Sequence, residues 1–600
     1  MSSADLLKAG LWCGLLAGYL EALGVHIHPL LRGFPAWEYS QHVWWMSPIA
    51  NGLSFVVLAA LIAAIVRLVP PLKNDWVTLP LLFLVVWEVF LTVALPVVSP
   101  GARIVLSIGA AIQCTRVALR GRNLGTLIAR TTPFLAGGVL VLFAAQSGGS
   151  AAIEAFRTRR LNPAPGSAPN VLVLMLDTVR AASMGLYGSD RNTTPNIDAF
   201  AGESIVFDRA IATSPWTLPS HGSVFTGRWH YEMTGNIYFA HDASYPTLPE
   251  LLSERGYRTA AFFGNTFYGD RFFGLDRGFL HYEVDPASLA TLRENALLTR
   301  RLGEYVRAWR DDHQLPVRKT AAELNVSLLS WIGGNQDRPF FAFVNYFDAH
   351  DPYIPPEPWS RTFAREGAKA WVDPGTRRYG AEEMADLEDT YDSSLAYLDH
   401  HIGELLSELR ASGRLDNTII ILLGDHGEEF GEHDTWGHGN SLYAQVVHVP
   451  LLVRAPGTVV DARRIGRPVS IRDVGQTVFD LTGLGAVEGF PGESLAPGAE
   501  SRRLAGANPS PPILSELFAD EGGSAEWYPN FFGAMRSVVL DDMHYIRRGD
   551  GREEMFDIVR DPLEESDLVQ SQVPEDQAAL ARARMFVDSL LQEPIAVRGL

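Results

Sequence analysis

The sequence predicts an α/β protein with a multi-helix membrane domain in front and a small antiparallel-sheet subdomain behind, on three observations. Residues 1–147 are dominated by Leu, Val, Ala, Ile and Trp, while the rest of the 600-residue chain has ordinary globular proportions. Beyond residue 168, short apolar runs of strand length alternate with helical patterns, as in a sheet whose strands are joined by crossing helices. These runs end in carboxylates and histidines, which an open α/β sheet gathers in the crevice beyond its strands' carboxyl ends.

Apolar stretches lie near residues 9–27, 44–66, 76–98, 102–119 and 124–146. A spanning helix needs roughly 20 such residues. Arg103 and Arg116 bound the fourth stretch and Arg130 interrupts the fifth, so four or five spans are expected. With five spans and an inner N-terminus, the inner loops hold Lys8, Arg67, Lys73, Arg116, Arg120, Arg122 and Arg130, and the outer loops only Arg32 and Arg103. This bias predicts a multi-pass protein of the cell membrane with its larger part on the extracytoplasmic side, periplasmic or extracellular. Arg157, Arg159 and Arg160 run against it. A cleaved signal peptide would explain the first stretch alone. Glu21 and Glu88 fall inside apolar stretches, where a carboxylate marks either helix pairing or function.

The net charge of −19 belongs mostly to the part after the membrane stretches, which has no basic stripe, so nucleic acid is excluded as the main partner. Cys13 and Cys114 are the only cysteines and both lie in apolar segments, so no disulfide is expected in the soluble part.

Residues 148–168 are rich in Gly, Ala, Ser and Pro and read as a linker. A catalytic domain at 169–504 and a C-terminal subdomain with a terminal helix at 505–600 follow. The run 170–176 is apolar throughout, like a strand buried on both faces of a parallel sheet, and ends in Asp177. The run 418–423 leads to Gly424-Asp425-His426-Gly427, and 340–347 leads to Asp348-Ala349-His350. Helical patterns at 247–255 and 387–409 precede the runs 259–263 and 418–423. After 505 the strands become shorter and more polar, at 534–540 and 544–547, before a helix near 575–592.

Asp177, Asp425 and His426 supply three of the four ligands of a tetrahedral metal, and the hydroxyl of Thr217 is the candidate fourth. Two carboxylates, an imidazole and a hydroxyl suit zinc or manganese better than calcium, which takes six to eight oxygens. Thr217 lies in Ser214-Pro-Trp-Thr-Leu-Pro-Ser-His-Gly-Ser-Val-Phe-Thr-Gly-Arg228, where Pro219 suits the first turn of a helix. Free N–H groups and the positive dipole end there favour an anionic substrate and a developing alkoxide. An unassisted threonine hydroxyl is a weak nucleophile, so metal activation is the step such a mechanism cannot omit. The plainer readings are a turn at Asp425-His426 and a helix-capping Thr217. His400 and His401, on an amphipathic pattern, read as surface residues.

Asp177 at a strand end, Thr193-Thr-Pro-Asn-Ile-Asp198, the Thr217 segment, Phe347-Asp-Ala-His-Asp-Pro-Tyr353 and Gly424-Asp-His-Gly-Glu-Glu-Phe-Gly-Glu-His433 together resemble the sulfatase family of the alkaline-phosphatase superfamily. The resemblance runs over about residues 169–570, as far as Glu554-Met-Phe-Asp-Ile558, Asp561-Pro562 and Glu564. It breaks in three places. Sulfatases make a formylglycine from Cys or Ser in a Cys/Ser-x-Pro-x-Arg signature; here those positions are Thr217, Pro219 and His221, so no formylglycine is expected. A usual pair of aspartates is Asp177-Thr178, and a usual Gly-Lys-x-His is Gly264-Asn265-Thr266-Phe267. The remaining set of Asp177, Thr217, Asp425 and His426 is similar to that of membrane phosphoethanolamine transferases and lipoteichoic acid synthase. The resemblance further implies that His350 and His438 bind substrate oxygens or protonate the leaving group. His221 and Asn265 are added as substrate-binding candidates, with Glu428 and His433 close by in sequence.

The expected function is metal-dependent transfer or hydrolysis of a phosphodiester headgroup through Thr217, on a membrane lipid or envelope glycan, with one zinc or manganese ion. Calcium would accompany sulfatase-like chemistry. The alternatives are a sulfuric ester hydrolase using Thr217 directly, a two-metal phosphodiesterase with Asp348, His350 and His438 at the second site, and a noncatalytic envelope protein that keeps the fold. The sequence predicts no oligomeric state.

Overall fold

The structure, a computed structural model, describes residues 2–591 except 33–35, 37–38, 70–71, 73, 122, 167, 235–240, 242, 311–317, 335–336, 372–376, 458–462, 486, 499–510 and 520–524. The chain forms two compact units, Met1–Arg159 with Asp285–Val317, and Arg160–Val284 with Arg318–Leu600.

The first unit is built on five helices, α1 (Ser3–Arg32), α2 (Val43–Leu68), α3 (Asp75–Ala94), α4 (Pro100–Arg120) and α5 (Leu124–Arg159). Each is long and apolar enough to cross a membrane. In α1, Gly10, Gly14 and Gly18 recur every four residues, and a Cβ on Gly18 would come within 2.3 Å of the Pro48 backbone in α2. Such a stripe of small residues lets two helix backbones touch. Both carboxylates inside the apolar helices serve packing: Ser107 of α4 donates to Glu88 at 2.8 Å, and Glu21 is fully buried among donors from α2 and the segments beside it. The linker expected from residue 148 begins later, because α5 runs on through Arg159. Once a helix is nucleated, each added residue completes a hydrogen bond, and Ala-Ala-Ile-Glu-Ala-Phe-Arg favours continuation despite Gly148 and Gly149.

The second unit holds a nine-stranded mixed sheet. Its strands are β1 (Asn170–Leu176), β2 (Ile205–Ile211), β3 (Arg258–Phe263), β4 (His281–Glu283), β5 (Phe340–Tyr346), β6 (Thr418–Gly424), β7 (His448–Val449), β8 (Leu451–Arg454) and β9 (Arg463–Ser470). The order is β9-β2-β8-β6-β1-β5-β3-β4, with β7 beside β2. The centre β6-β1-β5-β3-β4 is parallel, and β8 runs antiparallel to both β6 and β2. Side chains of β1 alternate between two hydrophobic cores: Val171, Val173 and Met175 enter one, Leu172, Leu174 and Leu176 the other. A strand covered on both faces has no polar side to show, which is why its sequence is apolar throughout.

Helices α6 (Thr217–Thr226), α7 (Ala321–Gly333) and α8 (Ala381–Ala411) flank the sheet, and α9 (Pro574–Leu591) is the last helix among the described residues. The C-terminal subdomain is an antiparallel sheet of β10 (Ile513–Leu517), β11 (Met535–Leu540), β12 (Met543–Arg547) and β13 (Glu553–Asp557). Its expected start at residue 505 lies outside the described residues.

Candidate active site

Because β1, β3, β5 and β6 are parallel neighbours, Asp177, Asn265, Asp348 and Asp425 follow one edge of the sheet. Thr217 joins them as the first residue of α6, whose last turn is closed by Gly227 at φ 69°. Thr217 Oγ1 lies 3.3 Å from His426 Nε2, and both residues are buried. Atoms of Asp177, Asp425 and His426 come within 4.8 Å of one another.

Each carboxylate of this group has one oxygen committed and one without a donor. Asp177 Oδ2 accepts from Asn345 Nδ2 at 3.0 Å and Asn265 Nδ2 at 3.3 Å. Asp425 Oδ1 accepts the backbone N–H groups of His426 at 2.8 Å and Thr178 at 3.1 Å. Thr178 reaches it from a left-handed backbone at φ 58°, strained for a β-branched residue and held by Tyr391, whose hydroxyl donates to the Thr178 carbonyl at 3.0 Å. Asp177 Oδ1 and Asp425 Oδ2 are buried with no hydrogen-bond partner among the described residues. Two buried anionic oxygens left bare are unfavourable unless a cation lies between them. His426 donates Nδ1–H to the Gly427 carbonyl at 3.0 Å, leaving the Nε2 lone pair 3.6 Å from Asp425 Oδ2. The residues present therefore fit one divalent ion.

Burial pushes the Asp425 carboxyl up to about 7 and raises that of Asp177, which Asp425 raises further. Burial holds His426 down at about 3, so its imidazole is neutral and free to ligate.

Beyond the group of Asp177, Asp425 and His426 lies a cleft of about 350 Å³, walled by aromatic rings including Trp216, Phe347, Tyr353 and Trp436. His350 and His438 face it together, their ring centroids 4.9 Å apart, with His438 4.6 Å from His426. His438 donates Nδ1–H to Glu428 Oε1 at 2.8 Å, and Tyr353 donates to the other Glu428 oxygen at 2.8 Å. His350 Nδ1 lies 2.9 Å from Asp351 Oδ1. Burial presses the His350 imidazolium down, but Asp351, with Asp177 and Glu428, outweighs it and lifts His350 to about 9. Gly439, at φ 73°, passes so close to Trp216 that a Cβ there would lie 2.3 Å from the indole.

Two sequence expectations are corrected by position. His221, expected to bind substrate, is fully buried beside Asp425, ringed by Phe225, Phe263 and Phe343. One turn beyond Thr217 on α6, it donates to the Thr217 carbonyl at 2.9 Å and packs 3.6 Å from Asp425 Oδ2, so it positions both. Asp348, expected at a second metal site, instead accepts from Ala321 N in the first turn of α7 at 3.1 Å, and the cluster holding His350 and His438 is completed by Asp351. Asn265 both lines the cleft and bonds Asp177. His433 stacks on Tyr443 at 3.7 Å and bonds the Leu563 carbonyl, tying down the C-terminal subdomain. His400 and His401 pair with Glu404 on α8.

The sequence reading missed Asn345 and Asp351. Asn345 is the one polar side chain in the apolar run of β5, and that interruption was the available signal.

Glu429, in the cleft wall, has Oε1 bonded by Ser441 at 2.7 Å, and burial lifts it to about 8 against its side-chain bonds to Thr435 and Ser441. The folded chain thus keeps a proton that the unfolded chain releases near pH 4.5, so stability falls as pH rises from there to about 8. Replacing Glu429→Gln should raise stability at pH 8.5, on the order of a few kcal/mol, and leave it unchanged at pH 4. Thermal melts at the two pH values check this; equal gains at both would contradict it.

A profile of the family described as Sulfatase matches residues 169–484. The ulvan-active sulfatase of Formosa agariphila is 24% identical over 430 residues, covering 67% of this chain and 77% of that protein. A choline-sulfatase of Rhizobium meliloti is 25% identical over 461 residues, covering 69% and 85%. The crystal structure of a phosphonate monoester hydrolase of Agrobacterium radiobacter shares the fold, with a TM-score of 0.53 at 19% identity over 71% of this chain and 95% of that one. Asp177, Thr217, His350, Asp425, His426 and His438 all lie inside the matched span, which exceeds half the chain, and on this ground the chain belongs to the sulfatase family.

Proposed function

We propose that this sulfatase-family protein passes a phosphoryl group through Thr217, transferring or hydrolysing a phosphodiester headgroup on an envelope lipid or glycan. The observation that carries this reading is the Thr217 hydroxyl, buried at the start of α6 and 3.3 Å from His426 Nε2, beside two partnerless carboxylate oxygens. The Thr217 Cβ bears a single oxygen. An ester formed there cannot collapse by expelling its group from a geminal diol, so a second nucleophile must displace it in line. Water completes hydrolysis, and an alcohol completes transfer.

Asp177, Asp425, His426 and Thr217 would hold a divalent ion, zinc or manganese by donor type, whose Lewis acidity would lower the pKa of the Thr217 hydroxyl. In the first displacement the Thr217 Oγ1–P bond forms while the P–O bond to the leaving group breaks. His350, charged at neutral pH and with Nδ1 engaged by Asp351, presents Nε2–H to the departing or nonbridging oxygen. Because His350 keeps its proton up to about 9, turnover should fall above that pH. His350→Gln should lower kcat by about 10²-fold or more and remove that alkaline limb. A pH–rate profile reads both, and an unchanged limb in the variant would count against the role.

Sulfate ester hydrolysis through Thr217 is the second reading, favoured by the sulfatases among the relatives. Initial rates on p-nitrophenyl sulfate, p-nitrophenyl phosphate and bis-p-nitrophenyl phosphate decide between them. The diester should be turned over fastest, and a clear sulfate preference would overturn the first reading. We also read α1–α5 as spanning the cell membrane, with the catalytic unit extracytoplasmic. Activity of reporter fusions placed after residue 160 tests the side.

A further inference from the structure

The helix Leu297–Arg310 belongs to the unit of the five apolar helices, although its sequence interrupts the catalytic domain. It turns an unusual face outward. Beyond Leu297 and Leu298 its inner side is polar: the Arg300 guanidinium lies 4.3 Å over the Tyr39 ring, Arg307 pairs with Glu294 at 3.1 Å, and Gly303 is buried between them. Its outer side is apolar. Leu302, Tyr305 and Trp309, three and four residues apart on one stripe, are 64%, 73% and 78% exposed. A helix made for water does the reverse.

The attachment is specific. The Leu297 N–H donates to Glu21 at 2.6 Å, deep among the donors of α2. Asn295 accepts from Ser40 N at 3.0 Å and donates to Ser40 Oγ at 2.7 Å, in the connection between α1 and α2. Leu297 enters a hydrophobic cluster of Ala22, Val43, Val89 and Val93, and Leu298 packs on that cluster and on the core of α1–α3. The exposed stripe therefore continues from the apolar surface of the helices themselves. It is edged by Arg301 and Arg310, both exposed, and residues 285–310 carry five arginines against three acidic residues. Tyrosine, tryptophan and arginine around aliphatic side chains is the chemistry of the layer where acyl chains meet headgroups.

We propose that residues 285–310 form a membrane foot of the catalytic chain. The helix Leu297–Arg310 lies along the bilayer interface, with Leu302, Tyr305 and Trp309 among the acyl chains and Arg301 and Arg310 at the lipid phosphates. The proposal rests on the reading of α1–α5 as spanning helices, and its test separates the two. In the full-length chain with Cys13 and Cys114 replaced, single spin labels are placed by Leu302→Cys, Tyr305→Cys, Trp309→Cys, Arg301→Cys and, on α2, Leu53→Cys. The protein is reconstituted in phosphatidylethanolamine–phosphatidylglycerol vesicles, and collisions with oxygen and with a water-soluble nickel chelate are compared. The oxygen-to-nickel ratio should be several-fold higher at 302, 305, 309 and 53 than at 301. If nickel reaches 302, 305 and 309 as it reaches 301 while 53 stays in lipid, the foot is wrong and the spans stand. Labels at the three positions shielded from both reagents would mean that a protein covers the stripe, which also overturns the foot. Nickel access at 53 as well overturns both.

Discussion

Replacing Thr217→Ala should reduce turnover by about 10³-fold or more and leave the acid-quenched protein without any esterified form. Thr217→Ser should keep both a measurable rate and the adduct. The pair is informative because α6 does not depend on the hydroxyl for its fold: its cap at Trp216 has no side-chain bond, and Thr217 Oγ1 is bonded only to His426 Nε2 among the described residues. Removing one buried hydroxyl from that contact should change stability by about 1 kcal/mol, too little to explain a lost activity. Intact-mass spectrometry after rapid quenching reads the adduct directly. The mass increment also names the group, since a diester leaves its retained substituent on Thr217. Full activity in Thr217→Ala would end the nucleophile assignment. An inactive variant that still accumulates an adduct would move the nucleophile elsewhere.

How far the site was legible follows from what each residue depends on. Asp177, Asp425 and His426 could be placed together because each follows an apolar run long enough for one buried strand, and parallel strands deliver their ends to one edge. Asn265 came instead from the resemblance of Gly264-Asn265-Thr266-Phe267 to a family segment, and the structure puts it just after β3. Thr217 and His221 sit one turn apart, so their shared helix was readable, but which of the two meets His426 depends on how α6 packs against its neighbours, a tertiary fact. The bond between Glu428 and His438 needs the short antiparallel pair Glu429–Phe430 with Trp436–Gly437 to fold back, and two-residue strands carry too little pattern to see. The segment 285–310 was invisible for another reason. Its amphipathic spacing is plain, but an amphipathic helix in water and one against lipid have the same period and differ only in which face turns inward.

The metal assignment predicts a reversal of stability between two variants of one protein. In the metal-free chain, Asp425 is an unfavourable charge: burial lifts its carboxyl to about 7, so the folded state binds a proton that the unfolded state has released near 3.8. Folding stability therefore falls as pH rises between those values and stays low above them. Asp425→Asn removes the charge while its side-chain carbonyl still accepts from His426 N and Thr178 N. At pH 8 in chelator the variant should melt above the wild type. With added zinc or manganese the order should invert. The wild type would gain about 5.4 kcal/mol when free metal is roughly ten thousand times Kd, more than the roughly 4 kcal/mol that the buried charge costs, while the variant has lost a ligand and gains little. Asp177→Asn should behave alike, and bound metal should drop from one ion per chain towards none in both. A site built only for hydrogen bonding would give the first result without the inversion. Wild type and variants that respond equally to metal would show that the partnerless oxygens of Asp177 and Asp425 hold no ion, and the role of Thr217 would then need another source of activation.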